Sequence, residues 1–146
     1  MLETYTISSL GVPLVTDQSV AFNVDSEDTD CRINHDAGTS TVEINKPGYY
    51  LVKFNSTGYN TGAASTVDSS DGTYSFQLFN NSVAVPNAQA RATSTASTAI
   101  ANVGFNTVIR VRPSCCAIDN NANLEVKFLG QEGMLLDATL IILKVA

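Results

Sequence analysis

Residues 137–146 read DATLIILKVA, and they decide the fold class because seven of their ten side chains are apolar and these occur at both parities. Successive side chains of a β-strand point to opposite faces, so Leu140 and Ile142 lie on one face and Ile141 and Leu143 on the other. At ten residues the run is too short for a helix that spans a membrane. We therefore predict a strand with two buried faces, one covered by the rest of the chain and the other by a second copy of the chain.

The rest of the chain carries the signals of strands rather than helices. No window combines apolar residues at helical spacing with capping residues, whereas short β-rich runs recur between clusters of turn residues. The predicted strands are 20–24, 40–44, 49–56, 73–80, 83–92, 99–112, 123–129 and 138–145. Strands of this kind predict an all-β fold, a two-sheet antiparallel sandwich of the jelly-roll type.

The predicted strands divide into two kinds by their alternation. In 73–80 and 123–129 apolar residues alternate with polar ones, which is typical of an outer sheet with one wet face. In 49–56, in 99–112 and in the terminal strand, apolar side chains occur on both faces, which predicts an inner sheet. A large apolar face that a soluble monomer does not normally expose marks an interface, so the inner sheet predicts self-association.

Turn chemistry predicts one hairpin in particular. Asn80-Asn81-Ser82 separates two predicted strands, and Asn tolerates the positive φ that tight hairpin turns require. We therefore expect 73–80 and 83–92 to pair antiparallel. The repetitive segment 92–99 (ATSTASTA) is expected to be a surface turn within a single domain.

The composition of the chain argues against several classes of partner. A length of 146 residues suits one domain, and a net charge of −6 with only eight Lys and Arg argues against nucleic acid and anionic membranes as partners. The N-terminal residues show neither a secretory signal nor a membrane-spanning segment, so we expect release in the cytosol. The three cysteines, Cys31, Cys115 and Cys116, form no disulfide framework and are expected to be free thiols.

The sequence carries no pattern of a known catalytic or metal site. Its one histidine, His35, suits a hydrogen-bonded residue in a turn or interface better than a metal ligand or a base. Residues 25–30 (DSEDTD) place oxygen ligands at a spacing similar to a calcium loop, but the central Gly and the closing Glu are missing. A solvated surface loop is the favoured interpretation. We expect no enzyme activity, no cofactor and no metal.

Three stretches resemble a known family: 45–52 (NKPGYYLV), 76–86 (FQLFNNSVAVP) and 138–145 (ATLIILKV). In order and spacing they are similar to the trimeric TNF-like and complement-type jelly roll, in the bacterial and phage branch that includes spore-surface collagen-like proteins. The resemblance spans roughly 20–145 and implies two five-stranded sheets, with the third, sixth and last predicted strands along a three-fold axis. It thus implies a homotrimer, and the residues expected at or near its interface are Tyr49, Leu51, Phe105, Ile141 and Leu143.

This sequence lacks the Gly-x-y stalk of the spore-surface members. A stalkless trimer with a short N-terminal segment is similar to phage head-decoration and head-fibre proteins, which implies a structural role on the virion surface after synthesis in the host cytoplasm. Residues 1–19 are expected to form an arm that anchors the domain, 20–146, to a capsid or another virion protein. The apolar residues of the arm, with no obvious core to join, are Leu2, Tyr5, Ile7 and Leu10.

A second hypothesis is a trimeric module that binds a receptor or a glycan, like a fibre tip or a bacterial surface adhesin. Loops at one end of the trimer would then carry the recognition, as in TNF-like receptor-binding tips. Tyr59, in Gly58-Tyr59-Asn60, is the candidate ligand residue because aromatic side chains in such loops favour recognition.

Overall fold

The computed structural model describes residues 1–28, 32–61, 73–93, 100–112, 121–130 and 132–146. Ten strands occur in these ranges: β1 (Leu2–Val15), β2 (Val24–Asp28), β3 (Ile33–Asn34), β4 (Val42–Ile44), β5 (Gly48–Asn60), β6 (Thr73–Asn80), β7 (Val83–Thr93), β8 (Ala101–Val111), β9 (Ala122–Phe128) and β10 (Glu132–Lys144). Over the described ranges the chain contains no helix with the length and apolar character needed to cross a membrane. The three cysteines and most of 92–99 lie outside these ranges.

The strands form two five-stranded antiparallel sheets. We call β2-β1-β10-β5-β8 the inner sheet and β3-β4-β9-β6-β7 the outer sheet. The prediction of an all-β, two-sheet jelly roll is confirmed, and so is the sorting of its strands into the two sheets. The wet face predicted for 73–80 is wrong at Thr73 and Ser75, which are buried. The three strands with two apolar faces, β5, β8 and β10, are neighbours in the inner sheet, and the alternating strands β6 and β9 pair in the outer sheet.

A cluster of aromatic rings fills the space between the sheets. Phe76 of the outer sheet is fully buried, with ring centroids 5.1 Å from Phe54, 5.0 Å from Tyr74 and 5.4 Å from Phe128. Phe54 belongs to the inner sheet, so the cluster joins the two layers. Aromatic pairs at such separations are favourable beyond the area they bury. Phe76 is therefore the centre of the core.

The terminal strand β10 is a central strand of the inner sheet, between β1 and β5. Leu140 is 1% exposed and Ile142 is fully buried, so this face packs into the core. Leu143, on the opposite face, is 40% exposed in the single chain. The chain therefore covers one apolar face of the strand and leaves part of the other exposed.

The N-terminal residues belong to the domain, and the interpretation of 1–19 as an arm outside it is wrong. β1 lies between β2 and β10, and Leu2 is fully buried opposite Ile142. The next core-facing residues are Thr4 and Thr6, which look polar in the sequence. Each is buried with a hydrogen bond: the Thr4 hydroxyl donates to the Val24 carbonyl over 2.9 Å, and the Asn23 amide donates to the Thr6 hydroxyl over 2.9 Å.

The acidic segment also differs from its prediction. Residues 25–28, expected in a loop, form most of β2, which is an edge strand paired with β1. The preceding run 20–24, expected as a strand, contains only an isolated bridge between Phe22 and Thr39 and the first residue of β2. Charged residues on an edge strand disfavour further pairing with other chains. The acidic sequence thus suits an edge as well as a loop.

The predicted hairpin is confirmed. β6 and β7 pair antiparallel from Thr73 opposite Thr93 to Asn80 opposite Val83. Asn81 and Ser82 form the turn with φ of 49° and 66°. Both central residues have positive φ, as the tight turns that match the twist of paired strands require.

A buried hydrogen-bond chain connects the two sheets. The Ser56 hydroxyl donates to the Asp137 carbonyl over 2.9 Å, so the Tyr74 hydroxyl, 2.7 Å from it, is the donor in their contact. A Cβ at Gly58 would collide with the Tyr74 hydroxyl, so the glycine makes room for the ring. Burial raises the pKa of Tyr74 well above its ordinary value, because the phenolate would be desolvated.

We expect Tyr74→Phe to lower the free energy of unfolding by about 1 kcal/mol at neutral pH, because the buried Ser56 hydroxyl loses its donor. Since the folded chain holds the Tyr74 proton more tightly than the unfolded chain, the unfolded chain loses that proton first. The stability contributed by Tyr74 is therefore complete below pH about 10 and falls as pH rises above it. Urea unfolding of both proteins between pH 8 and pH 11 checks this, and an equal alkaline slope for the two would contradict it.

Candidate functional site

The outward face of the inner sheet, turned away from the core, carries a row of apolar side chains. Leu143 pairs with Leu51, and Leu51 pairs with Val108 across the next strand boundary. Leu143 is 40% exposed and Val108 is 56% exposed, whereas Leu51 between them is half-buried. Side chains directly opposite each other on one sheet face are in contact distance. The row is thus a continuous apolar strip across β10, β5 and β8.

A second row extends this strip toward one end of the sheet. Val145 donates its backbone N–H to the carbonyl of Tyr49, and Tyr49 pairs with Arg110. Tyr49 is 44% exposed, and the Arg110 guanidinium lies 5.6 Å from the centroid of its ring. A guanidinium over an aromatic face is an attractive cation–π contact. This row combines two exposed apolar side chains with one cation.

The next row in the other direction is mixed. Ile141 pairs with Lys53, and Lys53 pairs with Asn106. Ile141 is half-buried, and the other two are exposed. The apolar area of the outward face is therefore concentrated on the rows of Leu51 and Tyr49, and a polar row borders it.

Four of the five residues predicted for a subunit interface lie on this face: Tyr49, Leu51, Ile141 and Leu143. The fifth, Phe105, does not, and its prediction is wrong. Phe105 pairs with Phe54, so both rings point into the core, where they stack with centroids 5.4 Å apart. Phe105 is only 6% exposed in the single chain. Val108, which has the opposite parity on β8, lies on the outward face instead, and the sequence prediction did not include it.

The residues predicted for an anchoring arm lie in β1. Leu2 is a core residue, so it is not available to a partner and this prediction is wrong. The backbones of Tyr5 and Ile7 pair with Thr139 and Asp137 of β10, and Leu10 lies in the irregular part of the pairing. The side chains of Tyr5, Ile7 and Leu10 lie outside the part of the chain that the structure describes.

Tyr59 lies in a different element from the one expected. It is part of strand β5, opposite Met134 of β10, and its side chain is half-buried. Tyr59 therefore lies in a strand, and the expectation that it belongs to a recognition loop is wrong.

His35 is hydrogen-bonded, as predicted, and it is also buried. Its Nδ1 lies 2.6 Å from Oδ1 of Asp25, its Nε2 lies 3.0 Å from the carbonyl of Thr39, and its ring meets Phe22 edge to face at 6.2 Å. The side chain ties β2 to the turn after β3. The contact with His35 occupies the carboxylate of Asp25, which is the first residue of the calcium-like segment 25–30. No group of three or more His, Cys, Asp or Glu that could hold a metal occurs among the residues that the structure describes.

The two-sheet topology and the position of the terminal strand define a jelly roll of the TNF and complement type. Solved structures with this fold include Eiger TNF from S. frugiperda, 13% identical, with a TM-score of 0.66 over 100% of this chain and 92% of that one. The globular domain of zebrafish complement 1qA protein is 11% identical, with a TM-score of 0.61 over 99% and 97% of the two chains. PRD1 vertex protein P5 is 13% identical, with a TM-score of 0.53 over 99% and 96%.

These likenesses concern the fold. No protein-family model matches the sequence, and no curated protein sequence matches it. At identities of 11% to 13%, function does not follow from the structural neighbours.

Proposed function

We propose that the chain is a structural protein that forms a homotrimer through the outward face of the inner sheet. The observation that carries the proposal is the apolar strip of Leu143, Leu51 and Val108, extended by Tyr49. Scattered exposed apolar residues are normal on a protein surface, but a contiguous patch bordered by polar side chains is typical of an interface. Here the patch is continuous because its members are direct neighbours across three strands.

A second copy of the chain is the partner that the sequence favours. The resemblance of 45–52 and 138–145 to the TNF-like family implies a three-fold axis beside these strands. The similarity of the fold to TNF and complement domains supports this arrangement. In such a trimer the apolar strip of each chain is buried against another chain, and the polar row of Lys53 lies toward its rim.

Within this proposal the trimer is a component of a virion surface and contacts a capsid or another virion protein. The likeness of the fold to PRD1 vertex protein P5 supports this role. Because Leu2 and Leu14 are core residues, anchoring through an extended N-terminal arm is no longer part of the hypothesis. The contact with the particle would use an exposed surface of the folded domain.

We expect Leu143→Asp to convert the trimer to a monomer that is still folded. The carboxylate would be buried without a partner in the trimer, at a cost of several kcal/mol per site, whereas in the single chain the position is 40% exposed. Sedimentation equilibrium at micromolar concentration, with a thermal melt, measures both properties. Val83→Asp is the matched control, because Val83 is 68% exposed on the outer sheet.

Val108→Asp provides an independent disruption of the same strip. A monomeric wild-type chain, or variants that sediment as trimers, would overturn the trimer proposal.

The virion role has a separate test: antibodies against the chain should label purified phage particles from the source organism, and genes for capsid proteins should lie beside its own. Unlabelled particles would refute the role and leave the trimer proposal standing.

A further inference from the structure

The side chain of His35 joins an edge strand of the inner sheet to the outer sheet. β2 is an edge of the inner sheet, and β3, which ends one residue before His35, is an edge of the outer sheet. Nδ1 of the ring lies 2.6 Å from Oδ1 of Asp25 in β2, and Nε2 lies 3.0 Å from the carbonyl of Thr39 in the turn after β3. The ring is fully buried, whereas the Asp25 side chain is 18% exposed. The pair thus closes one side of the sandwich near its surface.

Both partners of the ring are hydrogen-bond acceptors. A backbone carbonyl only accepts, so the hydrogen of that contact is on Nε2. A neutral imidazole has a single N–H, so the contact with Asp25 needs a second proton between Nδ1 and Oδ1. Without that proton, two acceptor atoms would face each other at 2.6 Å. The closed arrangement therefore holds one proton more than a neutral histidine beside an ionised aspartate.

The elements that contact the ring carry few other charged groups. Besides Asp25, their charged residues are Glu27 and Asp28 on β2, Arg32 before β3 and Asp36 in the turn after it. Arg32 and Asp36 are exposed, and Phe22, which meets the ring edge to face, is apolar. Asp25 is thus the charged partner within hydrogen-bond distance of the ring, and the proton that the two share is what a change in pH adds or removes.

The two ends of this link are not equally secure. The turn that presents the Thr39 carbonyl has further bonds to Phe22: the Phe22 N–H donates to this carbonyl over 3.0 Å, and the Gly38 N–H donates to the Phe22 carbonyl over 2.7 Å. β2 is a five-residue edge strand that pairs with β1 opposite Leu2 to Tyr5, with a shift in register. Segments with few contacts open locally at a small cost in free energy. When the link breaks, β2 is therefore the part that is released.

We propose that His35 and Asp25 form a proton-dependent latch on β2. With the second ring proton the latch is closed and β2 is held against the outer sheet, and loss of this proton opens it. Since the closed latch binds the proton, closing and protonation stabilise each other, and a rise in pH favours the open form. An open β2 uncovers the backbone of β1 at Leu2 to Tyr5, an edge to which another strand can pair. The pH thus controls whether this edge is available.

The test is a titration of the full-length chain between about pH 5 and about pH 9, the range in which histidines change charge. Nitrogen-15 NMR of the ring follows the second proton without ambiguity, because His35 is the one histidine of the sequence. Hydrogen exchange, corrected for the intrinsic rate at each pH, gives the protection of the β2 amides. We expect this protection to fall by at least about tenfold with the same midpoint as the loss of the ring proton, while β6 and β9 keep theirs. Constant protection of β2, or an equal loss in all strands, would overturn the proposal.

Asp25→Asn separates the latch from a merely structural contact. Its side-chain amide can donate to Nδ1 of a neutral ring or accept from Nδ1 of a protonated one, so the latch should stay closed in both states. We expect the protection of β2 in this variant to change by no more than about threefold over the titration. Asp36→Asn removes an exposed carboxylate from the turn and is the charge-matched control, which should keep the wild-type loss. A loss that persists in Asp25→Asn, or that disappears in Asp36→Asn, would refute the latch. The latch lies within one chain, so a monomeric wild-type protein would refute the trimer proposal and not this one.

Discussion

The chain without residues 1–16 should fail to form a soluble folded protein. The deletion removes β1 and with it the buried Leu2 and Leu14, and it converts β10 from a central strand to an edge. A long apolar strand with unpaired backbone groups is a template for aggregation. Expression of the deleted chain, fractionation and circular dichroism check the result. A soluble product with a cooperative melt would contradict the placement of β1 in the sheet.

Two neighbouring residues in β1 give the same test with single substitutions. Leu14 is 2% exposed and Val15 is 56% exposed. We expect Leu14→Ala to lower the free energy of unfolding by about 2–5 kcal/mol, the usual cost of such a cavity. Val15→Ala should change it by no more than about 0.5 kcal/mol. Urea unfolding of the two variants compares them directly, and similar small losses for both would mean that β1 is not part of the core.

Phe76→Ala should be the most damaging single substitution of the aromatic cluster, with a loss of about 3–5 kcal/mol. The substitution removes three ring contacts at once, with Phe54, Tyr74 and Phe128, and so leaves a cavity between the two sheets. For a domain that is stable by about 5–15 kcal/mol, this is a large fraction of the total. Denaturant unfolding measures the loss.

Phe79→Ala is the control for Phe76→Ala on the same strand. Phe79 is half-buried, and the Lys127 ammonium lies 4.8 Å from the centroid of its ring. An exposed cation–π contact contributes about 0.5–1 kcal/mol, so we expect Phe79→Ala to cost much less than Phe76→Ala. Equal costs would show that the cluster does not centre on Phe76.

The sequence allowed the fold to be predicted where side-chain alternation is unambiguous. In β6, Tyr74, Phe76 and Leu78 have one parity and all are buried, as the alternation indicates. In β10, apolar residues of both parities predicted a strand with two dry faces, and the outward residue Leu143 lies on an exposed apolar strip. The turn at Asn81 could be predicted because hairpin turns favour residues that accept positive φ.

In β1 and β8 the alternation of apolar and polar residues could not identify which face of the strand is buried. β1 turns Thr4 and Thr6 toward the core, and their hydroxyls are satisfied only by partners at Val24 and Asn23, which alternation does not reveal. On β8, Phe105 and Val108 have opposite parity and both are apolar, so the register with Phe54 decides which one faces the core. Register between distant strands is a tertiary property.

The central position of β10 determines when the domain can form during synthesis. β1 leaves the ribosome well before β10, and the two strands pair from Leu2 opposite Ile142 to Val15 opposite Glu132. Until residues 132–144 emerge, both β1 and β5 lack this neighbour, so the inner sheet cannot be completed before then. Contacts between such distant parts of a chain also slow folding, because a large loop must close first. We expect the nascent chain to depend on chaperones that hold its unpaired strands apart until β10 is available.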